Sequence, residues 1–254
     1  MADWTDLTTE LDRWARADQR ATFWWRDDDA GSDDERLKDF LDQRRRLEAP
    51  LALATVPAWL AAPTIRRVRA DSGTSVLQHG WAHRNNARPP AKKTELVDGT
   101  ENLEKDLQRG RETLQEAFDG QFQLVMVPPW NRIGPKIETR LATLGYSGLS
   151  THGPRAATPE ARVHTVNVHI DIIDWRARAF CGDTVALAQA ISHLQARRTG
   201  QADALEPTGL MTHHRDHDAA CEHFVDRFVT AIKDHEAGHW LDARSLFGAR
   251  QEAA

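Results

Sequence analysis

Short apolar runs that stop abruptly at acids or histidines recur along this chain, separated by longer amphipathic stretches. Leu7, Leu11 and Trp14 recur at helical spacing, which predicts a helix over residues 5–16. Residues 21–26 are aromatic and β-favouring and predict a first strand, which runs into Asp27, Asp28 and Asp29. The next helix, 33–47, has acids at its start and Arg44, Arg45 and Arg46 at its end, as the helix dipole prefers, and Asp33 or Asp34 suits its N-cap. Further strands are predicted at 51–55, 75–78, 122–127, 147–150, 163–170 and 209–212. Helices are predicted around 64–69, 101–118, 135–144, 183–198 and 218–235. Two stretches read as loops, 84–99 and 152–162; the first directly follows a histidine pair and is the candidate for a segment that covers substrate.

Strand and helix alternate about seven times, the pattern of an α/β fold with a parallel sheet and helices outside. The polar motifs fall at the C-terminal ends of predicted strands, where barrel enzymes place their sites. No Gly-rich dinucleotide turn is present. A chain of 254 residues suits one catalytic domain over 1–254. A net charge of −5 offers no general attraction for nucleic acid or an anionic membrane. The N-terminus lacks the basic start and apolar core of a signal peptide, and Cys181 and Cys221 are too few for a disulfide framework; both features imply a cytoplasmic protein.

Residues 75–83 read Ser-Val-Leu-Gln-His-Gly-Trp-Ala-His. A helical turn beginning at Gly80 puts His79 and His83 on one face, where two imidazoles can point at one ion. Such a pair needs a carboxylate, and the acids at 27–29 end a strand that is too apolar to be a solvated helix face. Two neutral histidines and one carboxylate leave positions open for water, the arrangement of a catalytic zinc site.

In chain order, Asp28-Asp29, His79 to His83, Pro128-Pro129-Trp130, Asp171-Ile-Ile-Asp174-Trp175 and Leu210-Met-Thr-His213 resemble the motifs of the polysaccharide deacetylases, the NodB-homology class or carbohydrate esterase family four. The resemblance implies a distorted (β/α)7 barrel and removal of an N-acetyl or small acyl group from an amino sugar or polysaccharide. It implies a divalent metal held by Asp29, His79 and His83, zinc first, with cobalt and nickel as alternatives. Asp28 becomes the general base, and a one-residue shift gives Asp27 and Asp28 instead. His213 becomes the general acid, with His214 as its structural alternative, and Asp171 is expected to hydrogen-bond and orient it. Pro129, Trp130 and Trp175 are expected to bind substrate, and Trp25 and Trp81 are further candidates for aromatic walls. Hydrolysis of a non-sugar C–N bond, or sugar binding without catalysis, are the competing functions.

Two departures stand out. The family has Ser or Thr after its first histidine where this chain has Gly80, and an arginine before Pro-Pro where this chain has Val127. Arg26 or Arg132 is the candidate to replace that charge. A second pair, His235 to His239 in His-Glu-Ala-Gly-His, matches a zinc-protease signature. Gly238 breaks the helix that this motif needs, and Glu252 is the sole acid that could return to it.

Overall fold

The computed structural model describes residues 1–32, 35–156 and 163–248. Its strands are β1 (Ala21–Ala30), β2 (Leu51–Thr55), β3 (Thr74–His79), β4 (Phe122–Val127), β5 (Gly148–Leu149), β6 (His164–Thr165), β7 (Ile170–Asp171), β8 (Ile173–Asp174), β9 (Ala179–Phe180), β10 (Thr208–Thr212) and β11 (Gly238–Trp240). Its helices are α1 (Trp4–Arg16), α2 (Glu35–Leu47), α3 (Ala62–Arg69), α4 (Leu103–Phe118), α5 (Pro135–Arg140), α6 (Asp183–Arg198), α7 (Ala219–Lys233) and α8 (Ala243–Gly248). Asp33 and Asp34, the expected caps of α2, and residues 157–162 of the expected second loop lie outside the described residues, as does Glu252.

The main sheet is parallel, in the order β6-β5-β4-β3-β2-β1-β10-β7, with β11 added beside the start of β1. The stretch from β6 to β7 pairs with two neighbours in turn. Val166 and Val168 donate to Leu149 and Thr151 beside β5, at 3.1 and 3.0 Å, and His169 donates to Gly209 of β10 at 2.8 Å. One extended run thus serves two partners, and the sheet curls into seven strand positions with helices outside, the expected barrel. The strand predicted at 163–170 appears as two short pieces because its ladder changes partner midway.

Side chains alternate across each strand, and here the two faces meet different cores. Phe23 and Trp25 of β1 point outward to Phe228 of α7 and Phe40 of α2. Trp24 points into the barrel, where it joins Ala52, Leu77, Val125 and Met211, and Phe247 of α8 meets it edge-on at 6.0 Å. Helix α1 lies against α6, tied by buried Glu10 to Arg198 at 2.7 Å and by Arg197 over the Trp14 ring. Helix α5 is shorter than predicted, because the chain turns at Gly145 to bring Tyr146 inward, where its hydroxyl donates to Gln78 Oε1 at 2.8 Å. Among the described residues no helix is long and apolar enough to cross a membrane.

Candidate metal centre

The alternation that sends Trp24 inward also sends Arg26 and Asp28 inward, and Asp27 outward. Asp29 would then face away from the barrel, but the ladder to β2 slips between Asp27 and Ala30 and Asp29 takes a left-handed φ of 68°. This bulge aims Asp29 over the open end of the barrel beside β3. Its Oδ1 lies 3.1 Å from both His79 Nε2 and His83 Nε2. His83, Trp130 and Asn131 also have positive φ, at 53°, 56° and 54°, so four such non-glycine residues lie around this site.

The surroundings of these three donors fit a divalent cation. His79 Nδ1 donates to the Val127 carbonyl at 2.9 Å, so in the neutral ring Nε2 holds the lone pair an ion needs. Burial works to lower His79, and the bond to Asp29 and the charges of Asp28 and Asp29 outweigh it and raise its pKa. Burial works to raise Asp29, and the bonds from His79 and His83 outweigh that and hold the carboxyl far below its usual range. His83 is packed between the Trp59 and Trp130 rings, at 5.5 and 4.3 Å.

Glu95 explains the missing hydroxyl at Gly80. Its buried carboxylate accepts the backbone N–H groups of Trp81, Ala82 and His83 at 3.0, 2.9 and 3.2 Å. A side chain at residue 80 would collide with that carboxylate and with Pro129, and Gly80 itself has a φ of 58°. Glu95 comes from the 84–99 stretch, so this part of the expected covering loop is instead a buried support, with Leu96 in the core next to it.

Asp28 is held by Arg26, whose Nε and Nη2 donate to its two oxygens at 2.8 and 2.9 Å. Arg26 is itself buried and reaches Ser150 Oγ and Asn131 Oδ1, both at 2.6 Å. It supplies to Asp28 the charge that the resemblance expects from an arginine before Pro-Pro; Arg132 points away to the Lys93 carbonyl. His213 faces Asp28 across the cavity, Nε2 to Oδ2 at 4.0 Å. The expected bond between Asp171 and His213 is replaced by an indirect contact. Asp171 accepts from Trp175 Nε1 at 2.8 Å, and the Trp175 ring meets His213 edge-on at 4.6 Å.

Asp28, Asp29, His79, His83 and His213 share a cavity of about 590 Å³ with Asp171, Trp130 and Trp175. Pro129 is buried beneath it against Gly80. Of the other expected walls, Trp25 is in the core and donates to Thr212 Oγ1, and Trp81 lies under the Arg109 guanidinium. His152, at the start of the predicted 152–162 loop, also lines the cavity; burial lowers its pKa.

Two other histidine groups do not make this kind of site. His235 lies in the turn that follows α7, its Nε2 3.1 Å from Asp12, while His239 is exposed on β11. His169 and His193 approach Glu206 Oε2 at 3.5 and 3.9 Å, but their rings are stacked 3.3 Å apart and 13° from parallel. An ion lies in the plane of each imidazole that binds it, and two such planes do not meet near either ring. His169 Nδ1 also accepts the Gly209 N–H at 3.0 Å, which puts its own proton on Nε2.

No protein-family model and no curated protein matches this sequence. The fold recurs among solved structures. A protein of Mycobacterium smegmatis assigned to the polysaccharide deacetylases superposes with a TM-score of 0.60, at 14% identity, over 92% of this chain and 91% of that one. A family 4 acetyl xylan esterase from Clostridium thermocellum, in complex with a cobalt ion, gives 0.55 at 15% identity over 90% and 92%. A family 4 pseudoenzyme from Bacillus anthracis gives 0.55 at 11% identity over 90% of this chain and 66% of that one. This chain has the fold of carbohydrate esterase family 4.

Proposed function

We propose that this protein is a metal-dependent hydrolase that removes an acetyl or comparable small acyl group from nitrogen on an amino sugar or polysaccharide. One observation carries the reading: a donor set of Asp29, His79 and His83 shares one cavity with a buried carboxylate, Asp28, and a facing imidazole, His213. A divalent ion held by those donors, with zinc the best match to two imidazoles and a carboxylate, would polarise the amide carbonyl and make water acidic enough to attack it.

The chain's own groups supply the rest. Asp28 takes the proton from the attacking water, with Arg26 fixing both of its oxygens and balancing its charge. His213 delivers a proton to the departing nitrogen, which leaves as an amine. Trp175, anchored by Asp171, limits the motion of the His213 ring. Trp130 braces His83 from one side, and its left-handed backbone turns the loop after Pro129 into the cavity.

A second reading, hydrolysis of a non-sugar amide, draws on the tryptophans. Trp130 is packed on a metal donor and Trp25 is in the core, so of the four expected walls Trp175 is the exposed indole at the site, at 46%. Release of acetate from N-acetylated sugars and from small amides, with added zinc, cobalt or nickel, separates the two. Turnover of the amides alone would favour the second reading, and no turnover of either with any metal would refute both.

A further inference from the structure

Two residues singled out by the sequence take no part in this chemistry: the first acid of the 27–29 run and the second histidine of the 213–214 pair. They are bonded to each other. Asp27 is fully buried on the outward face of β1. Its Oδ1 accepts from Thr212 Oγ1 at 2.7 Å and from the His214 backbone N–H at 2.9 Å, and its Oδ2 lies 2.5 Å from His214 Nδ1. A carboxylate only accepts, so Nδ1 carries the proton in that bond. The Thr212 hydroxyl also accepts from Trp25 Nε1 at 3.0 Å, and Phe40 stacks on the His214 ring, 27° from parallel.

The residues on both sides of His213 are therefore tied to one buried carboxylate. His213 itself is not tied by its ring: Nδ1 is buried without a hydrogen-bond partner among the described residues, and Nε2 is 4.0 Å from Asp28. Its position is set by the backbone at 212–214 and by the edge of Trp175. We propose that Asp27, acting through Thr212 and His214, is the positioning residue that fixes where His213 presents its imidazole. This rests on the reading of His213 as general acid. The plain alternative is that the bonds only stitch β10 to β1, in which case their loss would lower stability and leave His213 where it is.

The charge matters to the geometry. Asn at position 27 keeps the shape and one acceptor, but its amide turns two N–H groups where Oδ2 received the His214 proton. Two donors then face each other, and the 212–214 turn must shift.

The test uses zinc-loaded protein and begins with a readout independent of substrate. In ring-labelled histidine NMR, Asp27→Asn is expected to abolish the far-downfield His214 Nδ1 proton and to shift or broaden the His213 ring signals, with zinc content unchanged. His213→Ala should keep the His214 proton. With an amide that the wild type hydrolyses, Asp27→Asn and His214→Phe should lower kcat about tenfold or more, with KM near wild type, the scale seen when a supporting residue is removed. His214→Asn puts an amide N–H near the position of Nδ1 and should keep most of the rate. In a His213→Ala background Asp27→Asn should cost nothing further.

Unchanged His213 ring signals in Asp27→Asn, or an equal loss of rate with and without His213, would overturn the proposal. His213→Ala with wild-type turnover would instead remove the general-acid reading, a separate result. If Asp27→Asn melts below the assay temperature, His214→Phe and Thr212→Val carry the same comparisons.

Discussion

His79 and His83 are four residues apart, and so are His235 and His239; what separates the pairs is their surroundings. The first pair converges on Asp29 Oδ1, while the second is split between the turn after α7 and β11. Removal of one of three protein ligands takes away most of the affinity for a labile divalent ion. His79→Ala and His83→Ala are therefore expected to lose zinc and activity together, and His239→Ala and Glu236→Gln to keep both. Elemental analysis of the four variants decides it, and zinc lost from His239→Ala but kept by His79→Ala would reverse the assignment. On the proposed function, Asp28→Asn and His213→Ala touch the chemistry and not the ion. Each should lower kcat by about 10² or more with metal content near wild type, read from steady-state rates beside metal analysis. Zinc lost from Asp28→Asn would transfer the ligand role from Asp29 to Asp28. The choice between the two registers of the acid run was open in the sequence because it depends on the bulge between Asp27 and Ala30, and a bulge leaves no mark on the hydrophobic pattern.

At the scale of elements, the strands that end at motifs were legible because each is an apolar run cut off by polar chemistry. Residues 51–55 and 122–127 appear with the predicted bounds, and β1 continues four residues beyond its predicted end at Arg26, through the acids to Ala30. The two-residue strands β8 and β9, and the three-residue β11, were not legible, since pieces this short are set by their partners and not by their own periodicity. The prolines and polar residues of 84–99 predict a loop and give no sign of the buried Glu95 within it. Gly80 was the available signal: a glycine where the related motif has a hydroxyl asks what fills the space. Glu95→Gln keeps the shape but replaces an acceptor with a donor beside three backbone N–H groups. It is expected to weaken zinc binding about tenfold or more by loosening the turn that carries His83. Competition against a chromophoric chelator measures this, and wild-type affinity in a folded Glu95→Gln protein would show that the turn holds its shape without the carboxylate.

For the molecule as a whole, the buried histidines set the response to acid. Burial, with His169 and Arg197 beside it, pushes His193 down to about 2, and burial pushes His217 down to about 4. Burial also lowers His169, against the pull of Glu206. In the unfolded chain these side chains return to about 6.5. Between the folded and unfolded values the unfolded chain binds protons that the fold excludes, so their contribution is complete above about pH 6.5 and is lost as the pH falls below it. His79, raised in the metal-free protein, acts in the opposite sense and above that range: its contribution is complete below about pH 6.5 and is lost as the pH rises through its folded value, while the lowered Asp27 and Asp29 add their own loss only below the usual carboxylate range, near pH 4. Four histidines, His152 among them, are lowered and the one raised acts only above about pH 6.5, so metal-free protein is expected to lose stability as the pH falls from about 6.5 to 5. Urea unfolding across that range measures the slope. His193→Gln cannot take up the proton in either state, so whatever its stability at pH 7.5 it should show a shallower fall towards pH 5 than wild type. A slope in His193→Gln equal to that of the wild type would mean that the stacked His169–His193 pair, which lies behind β10 against α6, is not what keeps the acid-induced proton out of the fold.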